Sequence, residues 1–233
     1  MHFINIICLP FAGGNKHSLR FLEKEFRPEM RYISFDSPGK GVRAAEKLLT
    51  NLNEIVDDFY LQIIPYLSSN YVLYGHSMGG KICYLLLKKI ILEGKQMPLH
   101  VFFSGCQAPS ISLKNTLGAE LPHEEFIDHL RSFGGMPEEI INDKDSLDYF
   151  LPIIRADFIA TQNHIYKKTK PFKIPISILT GSEEAFAEKN LVKWKKETSS
   201  SVNFYVLQGN HFFIYDNGKQ MADLFYKSLK KFL

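Results

Sequence analysis

The chain has 233 residues, 45% of them hydrophobic and 23% charged, which suits a single water-exposed α/β domain able to bury a substantial core. Its formal net charge of +3 is too weak and too scattered to argue for a nucleic-acid partner, and no stretch approaches the length of a membrane helix. Cys8, Cys83 and Cys106 lie far apart in apolar segments without metal-ligand spacing, so free buried thiols and a reducing compartment are expected.

In chain order, residues 3–9 read as a first core strand. The apolar start, residues 1–11, lacks a basic n-region and is interrupted by Pro10 and Gly13-Gly14, which argues against a signal peptide. With no membrane segment, a cytoplasmic location is the expectation. Residues 18–26 read as helical and 30–35 as a second strand, followed by a turn at Ser37-Pro38-Gly39-Lys40-Gly41. The spacing of Ile55, Phe59, Ile63 and Ile64 predicts a helix over 52–67. Residues 71–74 form a short buried strand, and 80–93 a helix with Ile82, Leu85, Leu86 and Ile90 on one face and Gly94 as its stop. Residues 100–104, 176–180 and 203–207 are strand-like, and 219–232 a terminal helix.

This alternation predicts an α/β fold, a mostly parallel central sheet with helices on both faces. The rhythm breaks over 107–171, which carries helical segments at 124–133, 137–142 and 146–164 and no clear strand. An insertion of helices between two core strands reads as a lid, and lids govern access to hydrolase sites. One domain over 1–233 with a helical lid over 107–171 is therefore expected.

Gly75-His76-Ser77-Met78-Gly79 fits G-x-S-x-G, in which a strand ends in a strained turn and a helix begins at once. The flanking strand and helix agree, so Ser77 is the candidate nucleophile. A serine hydroxyl needs a base. His211 sits after a late strand in Gly209-Asn210-His211, where glycine and asparagine tolerate left-handed backbone. His76 lies inside the elbow and should point away from the serine. His123, His129 and His164 fall in the presumed lid.

The acid should come between them in the order serine, acid, histidine. The strand at 176–180 runs into Gly181-Ser182-Glu183-Glu184, so two adjacent glutamates compete, with Glu184 preferred over Glu183 and Asp216 as a distant alternative. An oxyanion hole needs backbone N–H groups. Met78 supplies one at the helix start, and Ala12, in Pro10-Phe11-Ala12-Gly13-Gly14, supplies the other.

Together these residues resemble the type II, or editing, thioesterases of nonribosomal peptide and polyketide synthetases, members of the α/β-hydrolase superfamily. The resemblance covers nearly the whole chain. Pro10-Phe11-Ala12-Gly13-Gly14 is similar to the family's P-[YF]-A-G-G, Pro38-Gly39-Lys40-Gly41-Val42-Arg43 to P-G-R-G-x-R, and Gly75 to Gly80 to G-H-S-M-G-G. Phe133-Gly134-Gly135-Met136-Pro137 resembles L-G-G-x-P, Leu151-Pro152-Ile153-Ile154-Arg155-Ala156-Asp157 resembles L-P-x-x-R-A-D, and Gly209-Asn210-His211-Phe212-Phe213 resembles G-G-H-F-F. Generic lipases and peptidases lack the motifs in the lid.

The resemblance implies hydrolysis of acyl or aminoacyl thioesters on the phosphopantetheine arm of a carrier domain, without metal or organic cofactor; for oligomeric state, a monomer is the default expectation. Three features depart from it. The family acid is usually aspartate, three residues after a glycine, where this chain has Glu184. Lys40 and Asn210 replace arginine and glycine. From the residues alone, a general carboxylesterase or lipase, an acyltransferase and a non-enzymatic binding module on the same fold stay open. The last has no need of an intact Ser77, His211 and nearby acid.

Overall fold

The short apolar runs become strands because both faces of the sheet are covered. In the computed structural model, which describes residues 3–113, 117–134, 136, 138–184 and 188–233, these are β1 (Ile4–Leu9), β2 (Met30–Ile33), β3 (Tyr71–His76), β4 (Val101–Ser104), β5 (Ile176–Gly181) and β6 (Val202–Leu207). Their order in the sheet is β2-β1-β3-β4-β5-β6, with every neighbouring pair parallel. The helices are α1 (Leu52–Ile63), α2 (Met78–Leu92), α3 (His123–Phe133), α4 (Glu138–Asn142), α5 (Lys144–Gln162), α6 (Glu188–Leu191) and α7 (Gly218–Leu229).

Successive strand side chains point to opposite faces. Ile7, Leu73, Phe103 and Ile178 meet Ile55 and Phe59 of α1 and Ile82 and Leu86 of α2 in one apolar layer. Ile6, Tyr74, Phe102 and Leu179 meet Met221, Phe225 and Leu229 of α7 in the other. A third cluster stands apart from both. It joins Phe126, Ile127 and Leu130 of α3, Ile141 of α4, and Leu147, Leu151, Ile154 and Phe158 of α5, all within the connection from β4 to β5. The expected helical break in the alternation is thus present, with its own core. Residue 137, the expected start of its second helix, lies outside the described residues.

Two local readings differ from the structure. The helix expected over 18–26 is a 3₁₀ segment, Arg20–Glu25. Its apolar anchors, Leu19 and Leu22, are three residues apart, a spacing that three residues per turn puts on one face. Between β5 and β6 lie α6 and a 3₁₀ turn, Val192–Lys196, which the pattern did not reveal. Trp194 is the turn's buried anchor, and one apolar residue among Lys193, Lys195 and Lys196 creates no periodicity. No helix among the described residues is long and apolar enough to cross a membrane.

The strand order reverses around β1. The chain leaves β1 for β2 on one side, then returns across it to β3, so a crevice opens beyond the carboxyl ends of β1 and β3, the usual ligand position in such sheets. There α2 is pressed against both strand ends. A Cβ on Gly79 would collide with the Leu9 carbonyl, and one on Gly75 with the Gly79 carbonyl. Neither obstacle is a flexible side chain. Gly79→Ala should therefore cost at least about 3 kcal/mol of stability. Gly94→Ala, in a left-handed position with no atom near its added methyl, should cost about 1 kcal/mol. Urea denaturation of the two variants checks the contrast.

Candidate active site

Ser77 has φ 54° and ψ −116°, and it is the sole non-glycine residue with positive φ among the described residues. Its surroundings hold it there: the Ser77 N–H donates to Ser104 O at 2.8 Å, and the Gly80 N–H donates to Ser77 O at 3.0 Å. This is the strained strand-to-helix turn that the pentapeptide predicts.

His211 follows β6. Its Nδ1 lies 2.6 Å from Glu184 Oε1. The other Glu184 oxygen accepts from Thr180 Oγ1 and from the Gly181 N–H, each at 2.9 Å. The Glu184 side chain is 3% exposed and that of His211 15%. A buried carboxylate with both oxygens engaged fixes the ring, places the proton on Nδ1 and leaves Nε2 with its lone pair. Glu183 instead lies at the surface, with a 3.5 Å contact to Gln208. Between the two glutamates, Glu184 is the one on the imidazole. Its extra methylene is absorbed by a turn: the Glu184 N–H donates to Gly181 O, and the side chain folds back over Gly181.

His76 is fully buried. Its Nδ1 is 2.9 Å from Ser104 Oγ, which donates on to the Tyr74 hydroxyl at 3.0 Å. Burial holds its pKa well below the usual histidine range, and His211 lowers it further. The ring is therefore neutral, and its centroid lies 5.0 Å from that of His211. A neutral partner can support the catalytic-type imidazole without opposing its charge.

Ser77, Glu184 and His211 line one cavity of about 680 Å³, with Ala12, Met78 and Phe158. The Ser77 hydroxyl makes no hydrogen bond to the imidazole here. The loop after β1 contributes backbone donors selectively. The Gly13 N–H is taken by Asp157 Oδ2 at 2.6 Å and the Gly14 N–H by Phe11 O at 2.9 Å. The N–H groups of Ala12 and Met78 donate to no described residue. A serine, an oriented imidazole and two free N–H groups around one cavity can carry out acyl transfer through a covalent intermediate. A larger groove of about 1380 Å³, between α1, the end of α2 and the segment before β5, contains none of these residues.

The thioesterase domain family matches residues 4–229. The chain belongs to that family. It is 32% identical over 228 residues to the gramicidin S biosynthesis protein GrsT of Aneurinibacillus migulanus, covering 97% of this chain and 89% of that one. It is 28% identical over 230 residues to the probable anguibactin biosynthesis thioesterase AngT of Vibrio anguillarum, covering 94% and 88%. The type II thioesterase BorB from the borrelidin biosynthetic cluster shares its fold, the α/β-hydrolase fold, with TM-score 0.89 and 24% identity over 97% of this chain and 93% of that one. The resemblance to type II thioesterases of nonribosomal peptide and polyketide pathways holds.

In this thioesterase, three of the sequence motifs converge on one buried carboxylate. Asp157 of α5 is 1% exposed. Its Oδ2 takes the Gly13 N–H and also the Lys40 ammonium at 2.5 Å, across 117 residues. Lys40 itself is 7% exposed. The loops after β1 and β2 are thus tied to α5. Arg155, two residues earlier, donates to Ala119 O at 2.5 Å and Leu121 O at 2.9 Å and sits over the Phe126 ring, fastening the segment before α3. The motifs contained Lys40 and Asp157, but nothing local in either signals that they pair. Removing one member of a buried pair leaves the other charge uncompensated, at a cost of about 3–5 kcal/mol. Asp157→Asn should show that loss in urea denaturation, and adding Lys40→Met should restore part of it.

Proposed function

We propose that this protein is a serine thioesterase that hydrolyses acyl and aminoacyl thioesters carried on the phosphopantetheine arm of a carrier domain in nonribosomal peptide or polyketide biosynthesis, for editing or release, as a cytoplasmic monomer. The observation that carries the reading is the Glu184–His211 pair on the wall of the cavity that also holds Ser77. Family membership supplies the substrate bond, a thioester. The names of the relatives, which place them in gramicidin S and anguibactin biosynthesis, support the carrier-bound context.

In this cycle His211 Nε2 takes the Ser77 hydroxyl proton as Oγ bonds to the thioester carbonyl carbon. The oxygen becomes anionic and is held by the Ala12 and Met78 N–H groups. Glu184 offsets the imidazolium charge. Collapse of the intermediate breaks the C–S bond, and the imidazolium returns its proton to the departing thiolate. Water then attacks the acyl-serine with His211 again as base. The second tetrahedral intermediate breaks its bond to Ser77 Oγ, His211 reprotonates that oxygen, and the free acid leaves.

The same reading treats 107–171 as a helical lid on a single α/β-hydrolase domain. Leu130, Phe133, Ile154 and Phe158 of α3 and α5 line the cavity wall. A lid of this kind shields the acyl-enzyme and leaves the arm as the route in.

Ser77→Ala should lower thioester turnover by about 10³-fold or more while leaving a folded protein. A covalent serine probe should label the parent chain and not the variant, and labelling retained at another serine contradicts the assignment. Glu184→Gln should lose far more activity than Glu183→Gln, since only the former faces the imidazole. Steady-state rates of both variants, with folding checked by circular dichroism, test this. One acyl group presented on a carrier domain, on coenzyme A and on a simple alcohol separates the readings. The carrier thioester should have the highest kcat/KM. A preference for the alcohol ester would favour a carboxylesterase, and acyl transfer to an added amine or alcohol would favour an acyltransferase.

A further inference from the structure

The cavity that holds Ser77 also contains a charge that the proposed hydrolysis does not use. Lys81 lies in the opening turns of α2 and lines this cavity together with Cys106, Gln107 and Thr161. It is half-buried, yet it makes no hydrogen bond, ion pair or ring contact with any described residue. Other cations named above are matched: Lys40 by Asp157 and Arg155 by two carbonyls and an aromatic face.

No described residue supplies Lys81 with an anion. Burial lowers its pKa to about 8, and the one group acting the other way is Cys106, whose own thiol is pushed far up by burial. Cys106 is therefore a neutral thiol, and Lys81 remains protonated at neutral pH. Of the two carboxylates that line the cavity, Glu184 is bound at both oxygens, and Glu183 is exposed, beside Gln208. Gln107 Oε1 is buried without a hydrogen-bond partner, so a second polar group in the same part of the cavity is also unsatisfied. Buried polar groups are ordinarily paired. Among the described residues neither group has a partner.

Position gives the scale. Ser77, the non-helical residue just before α2, and Lys81, in its opening turns, both line this one cavity. The lysine stem adds about 5 Å of reach. Since both residues line the same cavity, an anion a few bonds beyond the acyl carbonyl can meet the Lys81 ammonium. The walls contributed by Ile154 and Phe158 keep the dielectric low, which strengthens a charge pair relative to water.

We infer that Lys81 is a specificity residue of the acyl pocket, and that the chain favours acyl groups ending in a carboxylate, the half-thioesters of short dicarboxylic acids. This rests on the thioesterase reading above. A cationic aminoacyl group of the same length is disfavoured, because its ammonium would meet the lysine.

The test uses the full chain with succinyl-, butyryl- and β-alanyl-pantetheine, each rate corrected by subtracting the Ser77→Ala background. The parent enzyme should have a higher kcat/KM for succinyl than for butyryl, mainly through KM, and the lowest for β-alanyl. Lys81→Met should lower the succinyl-to-butyryl ratio by about tenfold. Lys81→Arg should keep the ratio above one, and Lys81→Glu should bring it below one while raising β-alanyl turnover relative to butyryl. Each ratio is internal to one protein preparation, so a partial loss of folding does not mimic the effect. Butyryl turnover with a succinyl-to-butyryl ratio that Lys81→Met leaves unchanged overturns this inference alone. No turnover of any thioester above the Ser77→Ala background overturns the proposed function, and this inference with it.

Discussion

The site depends on the packing of α2 against the ends of β1 and β3. Helix and strands meet there backbone to backbone, with Gly75 and Gly79 leaving no room for a side chain. That approach forces the turn between β3 and α2 to be short, and the short turn drives Ser77 into a left-handed conformation worth about 1–3 kcal/mol of strain. The strain is sustained by the surrounding hydrogen bonds to Ser104 and Gly80 and by α2, whose buried face runs from Met78 to Ile90. The same contact sets the first amide of the helix, at Met78, beside the loop that follows β1. The position of Ser77 and of the Ala12 and Met78 N–H groups, which have no partner among the described residues, thus follows from one packing constraint at the point where the strand order reverses.

A second constraint is how the interior handles charge. Asp157 is tolerated because it meets a lysine and a backbone N–H. Glu184 is tolerated because three donors surround it. Glu197, also buried, accepts the hydroxyls of Tyr84 and Tyr166 at 2.8 and 3.0 Å and so joins α2 to the segment before β5. Each carboxylate also connects parts of the chain distant in sequence. α5 is therefore held to the sheet by directional bonds as well as by apolar contact, which keeps the β1 loop in register with the serine. Lys81 is the contrast: a cation in the same fold with no partner among the described residues.

Much of this was legible because the signals are local. Alternating apolar runs and helical periodicity mark the strands and the larger helices, and glycine at fixed offsets from a serine marks the elbow. What the pattern misjudged had weak local signals. Two anchors three residues apart at Leu19 and Leu22 look like the start of an α-helix, yet they build a 3₁₀ turn. A lone Trp194 among lysines gives no periodicity, yet its burial organises the stretch between β5 and β6.

The sequence by itself determined the parallel α/β architecture, the helical segment between β4 and β5, the elbow at Ser77 and the pair of adjacent glutamates from which an acid would come. Those follow from near-neighbour chemistry: side-chain period, turn preference and the need for small residues at a tight bend. Only the tertiary structure decided between Glu183 and Glu184, because the choice turns on which carboxylate reaches an imidazole 27 residues away. It alone joined Lys40 to Asp157 and left Lys81 in the cavity without a partner among the described residues. Pairing and its absence depend on which groups share a volume when the chain is folded, and burial then makes each of those relations count far more than it would in water.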